Sequence, residues 1–198
     1  LKDRYTDALI HELATELKLI PEASMLNAGI LKSFQRGVAA IREMNGVIMI
    51  HDHPSSEGLR TTPVLATVPA DVFLSHPQLH HEVFGPFSIM VLCENMDEMQ
   101  RVADALEGQL TATVQVSDDE LMETPPLIDI LIHKAGRIIM NGVPTGVEVC
   151  AAMTHGGPYP ASTDSRFTAV GHHAVQRWLR PVSFQNFPTN MISDITND

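Results

Sequence analysis

The stretch HHEVFGPFSIMVLC, residues 80–93, joins a short polar segment to an apolar run through a turn. Gly85 and Pro86 are strong turn formers, and the apolar run that follows them, 87–93, has the length of one strand. The sequence therefore predicts a buried strand that begins at this turn. Glu82 lies just ahead of the turn, and from these residues alone it is interpreted as a solvated surface carboxylate.

Strand and helix patterns alternate on both sides of this strand. Before it, the sequence predicts helices at 6–19 and 27–45 and strands at 46–52 and 61–69; after it, a helix at 95–108, a strand at 110–117, a helical segment at 118–134 that Pro125 and Pro126 interrupt, and a strand at 136–141. Thr6 is the expected N-cap of the first helix. This alternation is typical of parallel βαβ units, so the predicted fold class is α/β, with an open, mostly parallel sheet covered by helices.

Composition limits the partners that the chain can bind. Its 198 residues, 44% of them hydrophobic, are enough for one core. The 13 Lys and Arg residues against 24 Asp and Glu give a net charge of −11, which would repel nucleic acid and anionic membranes. No apolar run approaches the ~20 residues of a membrane helix, and Cys93 and Cys150 lie in apolar contexts that suit reduced thiols. We therefore expect a cytoplasmic protein with no nucleic-acid or membrane partner.

A long irregular segment follows the last predicted strand. Residues 142–171 are rich in Gly, Pro, Ser and Thr but carry enough apolar side chains to argue against disorder. Such a segment in a compact domain is usually functional. Ligands of open α/β sheets bind in a crevice at the carboxyl ends of the strands, and both this loop and the Glu82 turn adjoin strand ends.

Histidine and cysteine are the other candidates for chemistry. The histidines invite a metal-site interpretation, but Pro77 interrupts the turn between His76 and His80, so these two are not expected to share a helical face. No metal is predicted, and zinc stays the weaker alternative. Cys93 and Cys150 have no positive neighbour in the sequence that would favour a thiolate, so both are predicted to be packed apolar side chains rather than nucleophiles.

Two blocks of sequence carry a family resemblance. The first is EVFGP, residues 82–86, and the second is GRIIMNG at 136–142 followed by THGGPYPAST at 154–163. In this order, with a strand, an acidic helix, the strand GQLTATVQ and another helix between them, they resemble the aldehyde dehydrogenase superfamily. The second block is similar to the branch that oxidises 2-oxoglutarate semialdehyde (2,5-dioxopentanoate). RWLRPVSFQNFP, residues 177–188, resembles the C-terminal strand of that branch.

The resemblance implies roles for individual residues. Glu82 would accept hydrogen bonds from the two hydroxyls of the nicotinamide ribose of NAD or NADP, and Phe84 would pack beside the nicotinamide. The irregular loop would line the aldehyde entrance with four wall residues: Pro144, Thr145, Val147 and His155. Arg166 could meet a substrate carboxylate, but a role in tying the loop to the surface is favoured.

The resemblance also implies that this chain is part of a larger enzyme. In family order a thiolate nucleophile, a glutamate general base and a nucleotide-binding Rossmann domain all precede the first helix, so no catalytic residue is expected here. Residues 1–180 would be a partial catalytic domain. Residues 181–198 would be a C-terminal strand and tail that contacts another subunit of a homo-oligomer.

Two functions therefore follow from the sequence. In the first, a parent enzyme oxidises a short, carboxylated aldehyde, similar to 2-oxoglutarate semialdehyde, to the acid with NAD or NADP. The isolated chain would then be inactive towards this small-molecule substrate, and no cofactor is expected to bind it. In the second, the chain is a stand-alone α/β binding or assembly module without catalysis.

Overall fold

The computed structural model describes residues 5–53, 58–144, 146–147 and 150–191. The α-helices within these residues are α1 (Thr6–Leu17), α2 (Ala28–Arg42), α3 (Ala70–Ser75), α4 (Met96–Ala105) and α5 (Pro125–Lys134). The strands are β1 (Ala23–Ser24), β2 (Ile48–His51), β3 (Arg60–Thr61), β4 (Val64–Pro69), β5 (Phe87–Leu92), β6 (Gln109–Val114) and β7 (Ala135–Met140). Short 3-10 helices cover Pro77–His80, Leu121–Glu123 and His172–Trp178. None of the described helices is long and apolar enough to cross a membrane.

The strands form three groups within the described residues. β4 lies between β2, to which it is antiparallel, and β5, to which it is parallel. β6 pairs in parallel with β7, and β1 pairs with β3 as a short antiparallel ribbon. Helix α3 connects β4 to β5, and α5 connects β6 to β7. Both connections are parallel βαβ units, so the predicted α/β class is confirmed.

β4 lies in the core. Its residues from Val64 to Val68 are all buried, which is typical of a strand covered on both faces. Helix α2 carries an apolar stripe at helical spacing and packs this stripe toward the sheet. The stripe consists of Leu31, Phe34, Val38 and Ile41. Phe34 and Val38 share one cluster with Val64, and Ile41 shares another with Val68 and Phe73.

Helix α4 contacts two apolar clusters at once. Val102 and Leu106 pack against the cluster that is built around β4 and α3. Ala103 belongs to a second cluster with Val114 of β6 and Leu127 of α5. α4 also contacts α3 on one side and α5 on the other. The three helices therefore form one layer that spans both parallel strand groups.

Some element boundaries differ from the sequence predictions. Thr6 is the first residue of α1 rather than its N-cap, which is Tyr5. α3 has no counterpart among the predicted elements, because its six residues are too few to show helical periodicity. The predicted break at Pro125 is confirmed. Pro125 and Pro126 begin α5, where a missing N–H costs no intrahelical hydrogen bond.

The described part of the predicted C-terminal strand and tail forms no strand within this chain. Residues 181–191 follow the last 3-10 helix without pairing to any strand that the structure describes. A strand is stabilised by hydrogen bonds to a neighbouring strand, and no described strand pairs with residues 181–191. Val182 and Phe184 remain exposed. Pairing of this segment across a subunit boundary stays a prediction.

The start of α4 is stabilised by two side-chain hydrogen bonds. The backbone N–H of Glu98 donates to Oδ1 of Asn95 at 2.9 Å, and the backbone N–H of Glu94 donates to Oε2 of Glu98 at 2.9 Å. We expect Asn95→Ala to lower the free energy of unfolding by about 1 kcal/mol, because it removes the cap of the helix that joins the two strand groups. Asn95→Asp keeps the acceptor and serves as the control. Urea unfolding followed by circular dichroism measures the difference, and equal midpoints for Asn95→Ala and wild type would contradict it.

Candidate functional site

The turn that carries Glu82 is fixed by backbone hydrogen bonds. The N–H of Phe87 donates to the carbonyl of Gly85 at 2.8 Å, and the N–H of Val64 donates to the carbonyl of Pro86 at 2.7 Å. The second bond ties the turn to the first residue of β4. Val83 packs into the core beside β5, so the residues that flank Glu82 are anchored in the fold.

Gly85 is required by the geometry of this turn. Its φ is +150°, a conformation that residues with a side chain rarely adopt. A Cβ at this position would also overlap the ring of Phe34, which lies in the core stripe of α2. The EVFGP sequence therefore places its glycine where the turn meets helix α2.

Glu82 projects into a cavity of about 680 Å³. The side chain is exposed, and no hydrogen bond or ion pair joins it to another residue in the described part of the chain. Its histidine neighbours are engaged elsewhere. Nε2 of His80 donates to the carbonyl of Phe73 at 3.0 Å, and Nδ1 of His81 lies 3.7 Å from Oε2 of Glu107. The Glu82 carboxylate is thus available to a ligand.

The GGPYP segment of the loop, residues 156–160, reaches the same cavity. The N–H of Gly108 donates to the carbonyl of Tyr159 at 3.3 Å, and Pro160 lines the cavity. A Cβ on Gly108 would overlap the carbonyl of Pro158, and one on Gly136 would overlap the carbonyl of Gly156. These glycines let the loop backbone lie directly against the beginnings of β6 and β7.

The Glu82 turn and the GGPYP segment therefore meet at the amino ends of the strands. Glu82 precedes β5, and Gly108 precedes β6. The loop leaves the carboxyl end of β7 but returns along the sheet, so that residues 156–160 contact the amino ends of β6 and β7. The return path brings the two family-like blocks of sequence together.

The structure describes three of the four predicted wall residues of the aldehyde entrance, namely Pro144, Val147 and His155. His155 lines a second cavity of about 290 Å³, together with Asp164 and Arg177. Pro144 and Val147 are exposed on the loop, and Thr145 lies outside the described residues.

His155 is held in place by the backbone around Thr168. Its N–H donates to Oγ1 of Thr168 at 2.8 Å, and its carbonyl accepts from the N–H of Ala169 at 2.9 Å. Nδ1 of His155 is buried and has no hydrogen-bond partner in the described structure. A ligand in the second cavity could supply one, since a buried imidazole nitrogen is costly to leave unpaired.

Arg137 was missed as a loop-positioning residue. Its Nη1 donates to the carbonyl of Gly146 at 2.7 Å and contacts Sδ of Met153 at 4.0 Å, so it links β7 to two parts of the loop. The available signal was a charged residue inside the otherwise apolar strand GRIIM.

Arg166 has the expected surface role. Its Nε and Nη2 donate to Oδ1 and Oδ2 of Asp164 at 2.9 and 2.6 Å, and its side chain is 79% exposed. These hydrogen bonds lower the pKa of Asp164 to about 2, and the same pairing raises the pKa of Arg166. The guanidinium of Arg166 is therefore paired with Asp164 of the same loop.

The cysteines are not placed as nucleophiles. Cys93 is 3% exposed, and burial raises the pKa of its thiol, with a smaller contribution from the nearby Glu98 carboxylate. Cys150 is half-buried, and neither cysteine forms a disulfide. Among the described residues, no three His, Cys, Asp or Glu side chains come together to hold a metal ion.

The sequence is similar to that of two semialdehyde dehydrogenases. It is 41% identical over 193 residues to alpha-ketoglutaric semialdehyde dehydrogenase 2 of Azospirillum brasilense, and 40% identical over 198 residues to alpha-ketoglutaric semialdehyde dehydrogenase of Acinetobacter baylyi. These matches cover 97% and 99% of this chain. The chain belongs to the aldehyde dehydrogenase superfamily. It spans only 36% and 37% of the two relatives, and no protein-family model matches it.

Solved aldehyde dehydrogenases share the fold. A Staphylococcus aureus betaine aldehyde dehydrogenase in complex with NAD+ matches with a TM-score of 0.65 and 16% identity, over 95% of this chain and 40% of that one. A Streptococcus pyogenes succinic semialdehyde dehydrogenase in complex with NADP+ matches with a TM-score of 0.62 and 16% identity, over 78% of this chain and 34% of that one. At this identity the likeness establishes the fold of this aldehyde dehydrogenase chain and nothing finer.

Replacing Gly85 tests the rigidity of the turn. We expect Gly85→Ala to lower the free energy of unfolding by about 2 kcal/mol or more, because it adds backbone strain and a clash with Phe34. Gly146→Ala, at a position where a Cβ meets nothing within 4 Å, is the control and should be nearly neutral. Denaturant unfolding measures the free energy of unfolding of both variants. Equal values for Gly85→Ala and Gly146→Ala would show that the turn adapts to a side chain.

The Asp164–Arg166 pair predicts a specific titration. In wild type the carboxyl of Asp164 should titrate with a pKa of about 2, and Arg166→Gln should return it toward 3.8. Because the folded-state pKa is lowered, the pair stabilises the folded loop above the ordinary Asp range, and this contribution is lost as the pH falls through about 2. Carboxyl chemical shifts measured by NMR across this range test the assignment. A pKa of Asp164 that is the same in Arg166→Gln as in wild type would contradict this assignment.

Proposed function

We propose that this chain is the C-terminal part of the catalytic domain of an NAD(P)-dependent aldehyde dehydrogenase. The parent would oxidise a short, carboxylated aldehyde similar to 2-oxoglutarate semialdehyde to the corresponding acid. The observation that carries the proposal is the free carboxylate of Glu82, which a rigid turn presents to a cavity. The names of the two curated relatives support the choice of substrate.

Glu82 fits the ribose of a nicotinamide nucleotide. A carboxylate has two acceptor oxygens and no donor, so one group can accept from both vicinal hydroxyls. Such charge-assisted hydrogen bonds are stronger than neutral ones. Because the turn is held by backbone bonds to β4 and β5, Glu82 requires little reordering when the cofactor binds.

Phe84 is the second cofactor residue of the proposal. Its side chain is 63% exposed beside the Glu82 turn, so its ring is free to pack against the nicotinamide. NAD(P) would supply the hydride acceptor when bound. The role of this chain is to hold and orient that group, while the thiolate nucleophile and the general base belong to the rest of the parent.

The loop would contribute the substrate entrance. Val147 and Pro144 are exposed at the carboxyl end of β7, and His155 lines the second cavity with an unpaired Nδ1. We propose these residues, with Thr145, as walls along the path of the aldehyde. Small changes in wall contacts alter discrimination between substrates, so carboxylated and neutral aldehydes should respond unequally to their substitution.

The parent is also proposed to be a homo-oligomer. The C-terminal segment exposes Val182 and Phe184 without pairing to any described strand. Exposed apolar segments of this kind are commonly covered by another subunit.

The test is pre-steady-state formation of NADH or NADPH by the parent enzyme. We expect Glu82→Gln to slow hydride transfer by about tenfold or more, because the amide keeps the shape of the side chain but loses the charge-assisted acceptor. Glu107→Gln is the matched variant, since Glu107 lines the same cavity but already faces His81, and its effect should be much smaller.

Two outcomes would count against the proposal. Equal rates for wild type and Glu82→Gln would remove the ribose assignment. A parent that reduces neither NAD nor NADP with any short aldehyde would favour the alternative of a non-catalytic α/β module.

A further inference from the structure

Arg137 lies on the face of β7 that points away from helix α5. Its neighbour Ile138 packs against the apolar cluster that contains Leu127 of α5. Successive residues of a strand point to opposite faces, so Arg137 and Ile139 share the other face. A Cβ on Gly142 would meet the side chain of Ile139 at 2.9 Å, so the irregular loop (142–171) begins against the face that carries Arg137.

The guanidinium of Arg137 joins this strand to two separate parts of the loop. Nη1 donates to the carbonyl of Gly146 at 2.7 Å, nine residues further along the chain. The same nitrogen lies 4.0 Å from Sδ of Met153, sixteen residues further along. We refer to these two contacts as the Arg137 link. The link holds the first part of the loop and the segment just before GGPYP against one side chain.

The stability of β7 does not account for an arginine at this position. Nε of Arg137 is buried without a hydrogen-bond partner in the described structure. In the part of the chain that the structure describes, no carboxylate forms an ion pair with the guanidinium. A thioether is a weak acceptor, and a buried donor without a partner costs free energy. Apolar replacement of buried polar groups is often neutral or stabilising, so this arginine calls for another explanation.

The Arg137 link lies between the candidate site and the substrate loop. Arg137 is aligned with Thr111 of β6, which lines the cavity into which Glu82 projects. On the loop, Val147 directly follows Gly146, and His155 lies two residues after Met153. Each contact of the link is therefore close in sequence to a wall residue of the proposed aldehyde entrance.

We propose that Arg137 is a positioning residue for the aldehyde, which it serves by fixing the loop rather than by touching the substrate. The inference rests on the proposed function, because it takes the loop as the wall of the aldehyde entrance. A loop that is in its binding arrangement for only a fraction of the time weakens the apparent affinity by that fraction. The link raises this fraction, and the unpaired Nε is the structural cost of doing so.

Arg137→Met in the parent enzyme tests the inference, because methionine keeps an unbranched apolar stem and removes every donor. We expect the KM for aldehyde to rise by about tenfold, since the loop is held less often in its binding arrangement. The kcat at saturating aldehyde and the KM for NAD or NADP should change by less than about twofold. The free energy of unfolding should be equal to that of wild type or higher, because a buried unpaired donor is removed.

Two variants control this experiment. Lys32→Met makes the same change of charge at an exposed residue of α2, and its KM for aldehyde should equal that of wild type. Arg137→Lys keeps a donor for the carbonyl of Gly146, and its KM should fall between those of wild type and Arg137→Met. A wild-type KM in Arg137→Met would overturn the inference. A rise confined to carboxylated aldehydes would overturn it as well, because the guanidinium would then meet the substrate itself.

Amide hydrogen exchange in the parent tests the Arg137 link without any turnover. The N–H of Met153 donates to the carbonyl of Cys150 at 3.2 Å, and that of His155 donates to Oγ1 of Thr168 at 2.8 Å. We expect both amides to exchange at least about tenfold faster in Arg137→Met, while the amides of α5 keep their wild-type rates. Equal exchange at Met153 and His155 in both proteins would overturn the inference.

The same measurement separates this inference from the proposed function. A parent that oxidises no aldehyde, but in which Arg137→Met speeds exchange at Met153 and His155, would reject the proposed function and retain Arg137 as the residue that holds the loop. An active parent whose loop and KM are both indifferent to Arg137→Met would retain the proposed function and reject the positioning role.

Discussion

The packing of helix α4 on two apolar clusters is the constraint on which the arrangement of this chain depends. Val102 and Leu106 pack toward the β4 and α3 cluster, while Ala103 packs with residues of β6 and α5. Since β5 and β6 share no hydrogen bonds, this helix fixes the position of one strand group relative to the other. The cavity into which Glu82 projects is bounded by both groups, so its shape depends on the same helix.

Backbone proximity, rather than a cluster of charged side chains, builds the candidate site. The Glu82 turn is tied to β4 by the bond from Val64 to Pro86, and the GGPYP segment lies against β6 and β7 because Gly108 and Gly136 have no Cβ. Such contacts tolerate little displacement, because a backbone carbonyl cannot rotate away as a side chain can. The site thus gains rigidity from residues that carry no chemistry of their own.

The elements of the fold were largely predictable, and their spatial order was not. The apolar run after Gly85 identified β5, and the alternation of strands with helices identified the parallel units, because both signals are local. Helix α3 was missed because it is short. The approach of residues 156–160 to the Glu82 turn was not predictable, because the loop after β7 doubles back along a path that tertiary contacts at Gly108 and Gly136 set.

Glu82 is one of many carboxylates in an acidic chain. With 24 acidic residues against 13 Lys and Arg, some carboxylates must lack a cationic partner, so an unpaired glutamate alone indicates little. The carboxylate of Asp164, by contrast, is paired with a nearby arginine, Arg166. Glu82 differs because its backbone is fixed on both sides and its side chain lines a cavity, whereas a merely solvated carboxylate needs neither a glycine-dependent turn nor a cavity. The dependence of the turn on Gly85 therefore supports a binding role for Glu82 more strongly than the charge of Glu82 does.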